Sequence, residues 1–579
     1  MKRTLATLLY ILGFLLPTCS QHVSFPFPIL GGELNNSAVT SVEDIDEVMP
    51  RMKVLGLNTV LVPAYWELME PQEGKFDFTL IDRTIDQARQ NDLKVIFLWF
   101  GAWKNSMSCY APAWFKQDTK RFPRAMTKTG KPLEIASCFS ENVLHADNRA
   151  FTALMNHIAD KDREAGTVIM MQIENEIGML EDARDHSPLA EKAYNTSIPK
   201  DLRRIWKIGK DVTWKEAFGD DIYGEEKFMA WHYACYVEHL AQAARSVMPR
   251  MPLYVNAAMN SRGRKPGEYP SAGPLAHLID IWHQGAPSID LLAPDIYDTG
   301  FKGWASQYAL PNNPLFIPES RCCENSGARA MYSFGEHHAI GFSPFAIDQA
   351  LPQETESVTK AYGLLRQLSF LNEELRMKNE ESARAIGSLQ QKSSFFIPHS
   401  SFPSWGLLFD QDDKERVIED EDVVMTCRHY FTLPWDARAK DGTTWPEGGA
   451  MLIRLAKHEY LLAGSGVVVD FKTLSEKQQE DAKVLGEDGF ILENEELRMK
   501  NEELARGNGS QQQIISLNND SSFKGRRLGL LSVDEVSVKE DGSFQYLRRH
   551  NGDQTHQGRH VRISVGDWKI LHVRLYEYK

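Results

Sequence analysis

Short apolar segments alternate with helical segments from residue 27 to residue 346 of this 579-residue chain. Most of the apolar segments are continuous runs, which is typical of strands buried on both faces. The stretches between them have helical periodicity, as at residues 80–90 and 225–247. Eight such units predict a (β/α)8 TIM barrel with insertions after the third and fourth strands. The predicted strands are residues 27–33, 59–65, 94–100, 167–175, 253–258, 290–296, 315–319 and 339–346.

A doubly wound open sheet is the competing α/β fold. That fold needs a glycine-rich phosphate loop after its first strand. Here Gly31-Gly32-Glu33 is not followed by the G-x-G-x-x-G spacing. The barrel is therefore the favoured architecture.

The chain is longer than the roughly 250–300 residues at which one hydrophobic core stops growing, so a second domain is expected. Beyond about residue 370 the pattern becomes β-like and alternating, with Gly, Asp and Asn at the turns. Such stretches occur at residues 450–456, 459–462, 466–471, 543–548 and 561–578. We predict a catalytic barrel over 22–370 and a β-sandwich-like accessory domain over 371–579.

A charged ten-residue segment at 372–381 recurs unchanged at 494–503, and the similarity continues loosely through 372–391 and 494–513. Two copies are too few for a solenoid. The favoured interpretation is a duplicated insertion tolerated in surface loops of the accessory domain. A pair of interaction helices is the alternative.

The N-terminus is typical of an export signal. Lys2 and Arg3 precede an apolar run at 5–16 that is too short for a stable membrane span, and small or polar residues follow it. We predict a signal peptide over 1–20 and a periplasmic or outer-membrane-associated location. Cleavage after Ser20 would release a secreted protein, whereas lipidation of Cys19 would anchor it, and the sequence leaves both open. No other uninterrupted apolar segment is long enough to cross a membrane.

Charge and cysteine content limit the partners. A net charge of −14 argues against nucleic acid, and 13 Trp residues fit a carbohydrate ligand. In an oxidising compartment Cys109 and Cys138 could pair across the insertion after strand three. No Cys/His spacing suggests zinc. We predict a carbohydrate substrate and no metal or cofactor; the oligomeric state is not predicted.

Two glutamates come at the ends of predicted strands. The segment 168–176 brings Asn175 and Glu176 to the end of strand four, and the segment 314–319 brings Glu319 to the end of strand seven. The C-terminal ends of barrel strands share one face, where chemistry is usual. A pair of carboxyl groups there indicates hydrolysis of glycosidic bonds. Glu174 competes with Glu176, because positions 174 and 176 share one face of a strand.

Several motifs carry a family resemblance. They are Gly31-Gly32-Glu33, the strand-two segment 58–78, residues 103–114, Gln172–Gly178 and Ala293-Pro294-Asp295-Ile296-Tyr297. Together they resemble glycoside hydrolase family 35, the β-galactosidases, in the bacterial branch with a C-terminal β-domain. The resemblance implies that Glu176 is the general acid/base and Glu319 the nucleophile of a retaining enzyme. It also implies that Asn175 binds the sugar 2-hydroxyl, that Tyr65 contacts the sugar, and that Tyr297 lies close to the nucleophile.

The two acids must differ in protonation for this chemistry. Glu176 must carry a proton near neutral pH, while Glu319 must be ionised, which donors such as Tyr297 or Arg321 would favour. Glu33 ends strand one and either binds a sugar hydroxyl or pairs internally.

One position departs from the family pattern. Many members have Ala-Glu-Trp after strand three, with the Glu on a galactose hydroxyl, but residues 101–105 here contain no acid. We expect Trp103 or Asn105 to supply contacts on that side.

The predicted function is a retaining, exo-acting β-galactosidase. Another β-glycosidase specificity, for a glucoside or an arabinoside, is the alternative with the same chemistry. A non-catalytic glycan-binding barrel is the alternative from a different class. A metallohydrolase barrel would need His-x-His after strand one, where this chain has Leu34-Asn35-Asn36.

Overall fold

The computed structural model describes residues 25–260, 263–386, 402–481, 484–485, 491–492 and 525–579. The predicted signal peptide over 1–20 and the candidate anchor at Cys19 lie outside these residues. So do residues 387–391 and 494–513 of the two duplicated segments. Residues 372–386 form the end of the helix Pro352–Ile386.

Eight parallel strands close into a barrel in sequential order, which confirms the predicted fold. The barrel strands are β1 (Ile29–Glu33), β2 (Thr59–Tyr65), β3 (Lys94–Phe100), β4 (Val168–Gln172), β5 (Leu253–Ala258), β6 (Leu291–Ile296), β7 (Phe316–Ser320) and β8 (Gly341–Pro344). Every residue of these strands is buried except Lys94, Ile169 and Ala258, which are partly exposed. The burial arises because the barrel interior packs one face of each strand and the helix layer packs the other. The three strands β2, β3 and β5 have the predicted bounds.

Helices surround the barrel. Several begin at side-chain caps: the Ser41 hydroxyl accepts from the Asp44 N–H at 3.1 Å, and the Ser140 hydroxyl from the Val143 N–H at 3.4 Å. The insertion after β3 contains the hairpin Arg124–Met126 and Pro132–Ala136, and the insertion after β4 contains three short helices. The α-helices are Val42–Val54, Trp66–Met69, Thr79–Gln90, Ala113–Gln117, Glu141–Asp162, Pro188–Tyr194, Lys200–Ile205, Trp214–Phe218, Ile222–Val247, Ile279–Gly285, Phe301–Tyr308, Ser326–His337 and Pro352–Ile386.

Two sheets with a core of their own follow the barrel, as the sandwich prediction requires. The six-stranded sheet has the order Ser404–Phe409, Gly448–Ala456, Glu459–Ser465, Lys569–Tyr578, Arg527–Val538 and Phe544–His550. The four-stranded sheet has the order Glu415–Asp420, Val423–His429, Val467–Thr473 and Val561–Ile563. A short helix, Leu474–Asp481, and a two-stranded pair, Val484–Leu485 and Ile491–Leu492, complete the described elements.

The helix Ser326–His337, which follows β7, packs directly against the six-stranded sheet. Glycines allow the close approach: a Cβ on Gly406 would lie 2.4 Å from the Tyr332 carbonyl oxygen, and one on Gly449 would lie 2.4 Å from the Cα of Ala328. Arg329 of the same helix forms a two-point ion pair with Glu447, at 2.9 and 2.6 Å. The long helix Pro352–Ile386 runs across the predicted domain boundary at residue 370.

The pairing considered possible for Cys109 and Cys138 is absent, because all six cysteines among the described residues are free. The Cys109 thiol lies 3.8 Å from the Lys104 carbonyl oxygen, whereas the Cys138 thiol is buried near Asp185 and Cys235. Among the described helices, none combines the length and the apolar character that a membrane crossing needs.

Candidate active site

Three carboxyl groups meet at the C-terminal end of the barrel. Glu176 follows β4, Asp295 lies near the end of β6, and Glu319 lies near the end of β7. One carboxyl oxygen from each lies within 4.8 Å of the other two. All three side chains are buried, with Glu176 the most open at 6% exposed. The sequence predicts Glu176 and Glu319 at this face but does not single out Asp295.

The loops after β3 and β4 are joined by backbone hydrogen bonds. The Asn105 N–H donates to the Asn175 carbonyl at 3.2 Å, and the Ser106 N–H donates to the Glu176 carbonyl at 3.1 Å. Four residues here have positive φ, which is uncommon outside glycine: Asn105 (49°), Ser106 (61°), Glu174 (57°) and Glu176 (46°). Such backbone strain costs on the order of 1–3 kcal/mol per residue and often occurs at functional sites.

The left-handed residues also explain why β4 ends at Gln172 rather than at residue 175. A strand alternates its side chains, so Glu174 and Glu176 would share a face if the strand continued. Positive φ at both residues ends that alternation. As a result, the two glutamates have different surroundings.

Glu174 is held in a buried network beside the site. Its Oε2 accepts the Trp103 N–H at 2.7 Å, and its carboxyl group lies next to Asp147. Asp147 also accepts from Trp99 Nε1 at 2.9 Å and from the Tyr236 hydroxyl at 2.6 Å. Burial, and then the charge of Asp147, raise the pKa of Glu174 well above its ordinary value. The shift favours the protonated form of Glu174, and the hydrogen bond that it accepts from the Trp103 N–H supports the loop after β3.

Glu176 is oriented from two sides. The Asn105 side-chain amide donates to its carboxyl group, and Asn256 of β5 accepts its backbone N–H at 2.9 Å. The same Asn256 donates to the Asp295 carboxyl group at 2.6 Å. One amide thus connects β4, β5 and β6 and sets the position of two acids.

Glu319 accepts a hydrogen bond from the Tyr297 hydroxyl, so the predicted proximity of Tyr297 is present in the geometry. Burial, followed by the charge of Glu176, raises the pKa of Glu319 to about 7. Lys104, Tyr297 and Glu33 act in the opposite direction. The Tyr297 hydroxyl thus favours the ionised form of Glu319 that the sequence argument expects, whereas burial and Glu176 oppose it.

Two further acids share the site. Glu33, at the end of β1, is fully buried, and burial followed by the charge of Glu319 raises its pKa well above its ordinary value. Burial, then the charges of Glu319 and Glu176, raise the pKa of Asp295 in the same way. Both shifts favour the protonated form, which lessens the repulsion among four close carboxyl groups.

Three other predicted site residues, Asn175, Tyr65 and Trp103, are buried and make different contacts. Asn175 is fully buried, and neither atom of its amide has a hydrogen-bond partner among the described residues, so the amide is free for a ligand. Tyr65 ends β2 and packs against Phe100 and Tyr110, with ring centroids 5.9 and 5.5 Å away. Trp103 is fully buried, and its ring packs edge-on against Tyr236 in the helix layer at 4.8 Å. Roles of these residues in sugar binding stay predictions.

Three contributors to the site were missed from the sequence: Asp295, Asn256 and Lys104. Asp295 had a signal, because it lies two residues before Tyr297 near the end of one strand. Asn256 lies within β5 and Lys104 lies four residues after the end of β3, and neither position carries a sequence signal for a role in the site. The three carboxyl oxygens are also spaced as ligands of a divalent cation.

Part of the barrel is similar to known β-galactosidases. Residues 36–225 match the model of glycoside hydrolase family 42, described as β-galactosidase. This indicates family 42 rather than the predicted family 35, and it supports the coarser prediction of a β-galactosidase-like glycoside hydrolase. Residues 358–562 match a domain of unknown function.

Individual relatives are distant. The chain is 28% identical over 172 residues to human β-galactosidase-1-like protein 3, which covers 29% of this chain and 24% of that protein. It is 27% identical over 217 residues to a β-galactosidase from Xanthomonas manihotis, covering 33% of each. The chain thus spans a third or less of the length of these relatives. A solved family 42 β-galactosidase from G. stearothermophilus is 16% identical, with a TM-score of 0.46, covering 60% of this chain and 58% of that one.

Proposed function

We propose that this protein is a retaining exo-β-galactosidase that removes terminal β-linked galactose from oligo- or polysaccharides. The observation that carries the proposal is the spacing of Glu176 and Glu319, whose nearest carboxyl oxygens lie within 4.8 Å at the C-terminal end of the barrel. Retaining enzymes hold their acids about 5–5.5 Å apart, whereas inverting enzymes need about 6.5–9.5 Å to admit a water. The galactoside specificity draws on the β-galactosidase matches.

In the first step the ionised Glu319 attacks the anomeric carbon. The bond from that carbon to the glycosidic oxygen breaks, and Glu176 gives its proton to the departing oxygen. The Tyr297 hydroxyl, which donates to Glu319, helps to keep the nucleophile oriented. The product is a galactosyl ester of Glu319 and a free leaving group.

In the second step Glu176 acts as the base. It takes a proton from a water that attacks the anomeric carbon on the face where the leaving group left. The ester bond breaks, Glu319 regains its negative charge, and galactose leaves with its β configuration retained. The free amide of Asn175 is available to the 2-hydroxyl, where hydrogen bonds strengthen in the transition state.

A panel of nitrophenyl β-glycosides tests the proposal. We expect the galactoside to be hydrolysed fastest, the first product seen by proton NMR to be β-galactose, and a 2-fluoro-galactosyl label to attach to Glu319. Glu176→Gln and Glu319→Gln should each lower kcat by about 10²–10⁴-fold. Glu134→Gln, a change of the same kind on an exposed strand of the hairpin, is the matched control.

Other outcomes identify the alternatives. Faster hydrolysis of a glucoside or an arabinoside would assign another β-glycosidase specificity. That alternative is considered because residues 101–105 contain no acid. No turnover of any β-glycoside, together with glycan binding that survives Glu176→Gln and Glu319→Gln, would assign a non-catalytic binding barrel.

Export is a separate proposal, and it rests on residues 1–20 alone. Mass spectrometry of the mature N-terminus tests it. A chain beginning at Gln21 would support secretion, and an acylated Cys19 would support a lipid anchor. An intact Met1 in a correctly folded cellular protein would contradict both.

A further inference from the structure

A group of metal-ligating side chains lies in the loop after β4, distinct from the acids of the active site. Asp182 and His186 belong to this loop, and Glu225 lies near the start of the helix Ile222–Val247. One ligand atom from each residue lies within 4.8 Å of the other two. The side chains of His186 and Glu225 are only 6% and 3% exposed. Imidazole nitrogens and carboxylate oxygens are common ligands of Zn²⁺, so the chemistry of this group suits that ion.

His186 has the hydrogen bonding of a metal-binding histidine. Its Nδ1 lies 3.1 Å from Glu191 Oε1, and because a carboxylate only accepts, Nδ1 carries the ring hydrogen. A metal-ligating histidine almost always donates its other ring N–H in this way, which fixes the tautomer and the ring orientation. In the neutral ring Nε2 then has a free lone pair. Nε2 is buried and has no hydrogen-bond partner among the described residues, so its lone pair is available to an ion.

The free nitrogen of His186 faces an acceptor rather than a donor. Nε2 lies 3.7 Å from Asp182 Oδ1, which is longer than the roughly 2.7–3.2 Å of an N–H···O hydrogen bond. Two ligands that each bind one Zn²⁺ at about 2.0–2.2 Å lie about 3.3–3.6 Å apart in tetrahedral geometry. The observed separation is therefore close to that of two ligands of one ion.

The surrounding charge also favours a cation. Arg184 pairs with Glu191 at 2.8 Å and with Glu225 at 3.2 Å. With Asp182 the cluster has three carboxyl groups and one guanidinium group, so two formal negative charges are left over. A divalent ion would neutralise them in a place where unpaired charge is costly.

We propose that Asp182, His186 and Glu225 bind one Zn²⁺ ion that joins the loop after β4 to the helix Ile222–Val247. Three protein ligands leave the fourth tetrahedral position to a water. The ion would stabilise the segment that continues from Glu176. Because the ligands come from two separate elements, no local Cys/His spacing marks the site, and the proposal revises the sequence prediction of no metal.

Calorimetric titration of the full chain with ZnCl₂, after removal of metal with EDTA, tests the site without reference to turnover. Wild type should bind an equivalent of zinc that raises Tm by about 2–4 °C at a zinc concentration about 100 times Kd. Asp182→Asn and His186→Gln should each weaken this binding by more than about 100-fold. Glu191→Gln, whose amide oxygen can still accept from Nδ1, should weaken it by only about tenfold. Co²⁺ should give the visible absorption of a four-coordinate ion in wild type but not in His186→Gln.

His458→Gln is the matched control, because His458 forms a group of the same composition with Asp422 and Glu577 in the sandwich. There Lys457 and Arg526 already pair with the two acids, at 3.2 and 2.7 Å. The zinc equivalent should therefore persist in this variant with unchanged affinity.

The metal-free Tm of each variant separates a lost ligand from a lost fold. In EDTA, we expect Asp182→Asn and His186→Gln to unfold within about 2 °C of wild type, because the site holds no ion there. If either variant fails to fold, Glu191→Gln still tests the site, since that side chain is 43% exposed. Absence of zinc binding in wild type would overturn the proposal, and so would zinc binding that survives in the folded variants with unchanged affinity.

Discussion

The side-chain amide of Asn105 donates a hydrogen bond to the carboxyl group of Glu176, although 71 residues separate them in the sequence. Both residues have positive φ, and backbone hydrogen bonds join their two loops. The loop after β3 therefore controls the direction of the acid that follows β4. In a bound complex this amide would hold Glu176 toward the glycosidic oxygen.

Asn105→Ala should lower kcat/KM on nitrophenyl galactosides by about tenfold or more, because a hydrogen bond to an ionisable group is worth about 1.5–3 kcal/mol. The loss should grow as the leaving group becomes more basic, since a poor leaving group depends most on the proton from Glu176. Asn142→Ala, at an exposed helix position, is the control. A loss that does not vary with the leaving group would contradict the role in orienting the acid.

The two neighbouring glutamates should respond differently to the same change. In Glu174→Gln the amide can still accept the Trp103 N–H and donate to Asp147, so we expect stability within about 1 kcal/mol of wild type and kcat lowered by less than about tenfold. Glu176→Gln should lose about 10²–10⁴-fold in kcat. Urea unfolding and steady-state kinetics on both variants measure the contrast. Equal losses would mean that Glu174 takes part in the chemistry.

Asn175 should account for recognition of the sugar 2-hydroxyl. Its amide is buried without a partner in the described part of the chain, so it is expected to bind substrate rather than support the fold. Wild type should prefer a galactoside over its 2-deoxy analogue by about 100-fold, since these contacts are worth several kcal/mol in the transition state. Asn175→Ala should lose most of that preference. If the variant keeps the full preference, a group other than Asn175 binds the 2-hydroxyl.

Stability should fall as the pH rises through the range in which the buried acids ionise. Glu319 has an ordinary pKa of 4.5 and a pKa of about 7 in the folded protein, so between these values the folded state binds more protons than the unfolded state. Each such group lowers the free energy of unfolding by about 1.4 kcal/mol per pH unit in that window. Urea unfolding from pH 5 to pH 8 measures the slope. Glu319→Gln should flatten it, and an unchanged slope would contradict the assignment.

The ion pair between Arg329 and Glu447 should stabilise the contact between barrel and sandwich. The side chains of Arg329 and Glu447 are 14% and 15% exposed. Arg329→Met should lower the free energy of unfolding by about 3 kcal/mol, because it leaves a largely buried carboxylate unpaired. The double variant with Glu447→Met should recover part of the loss. Arg121→Met, which breaks a similar but exposed pair with Glu73, should cost only about 0–1 kcal/mol.

The barrel could be predicted because its strands are short apolar runs buried on both faces. The predicted and observed bounds of β2, β3 and β5 agree, and each strand is a run of mainly apolar residues. The end of β4 could not be predicted in the same way. Periodicity assumes extended backbone, and positive φ at Glu174 and Glu176 breaks that assumption.

The site could be predicted only in part. Glu176 and Glu319 are recognisable as strand-end acids. Contacts made across the barrel leave no local pattern, so the link from Asn256 to Asp295 and the charge of Lys104 on Glu319 appear only in three dimensions. The protonation of Glu319 depends on burial by residues from most of the strands, which no single segment encodes.

Gly406 and Gly449 carry no side chain, so the six-stranded sheet lies directly against the helix Ser326–His337, which follows β7. A barrel truncated at residue 370 would lack this sheet, so the helix face that includes Ala328 and Tyr332 would be exposed to water. Such a fragment should self-associate, so attempts to obtain a minimal catalyst by truncation ought to keep the sandwich. Residues 358–562, which match a domain of unknown function, would then be required to keep the barrel from self-associating.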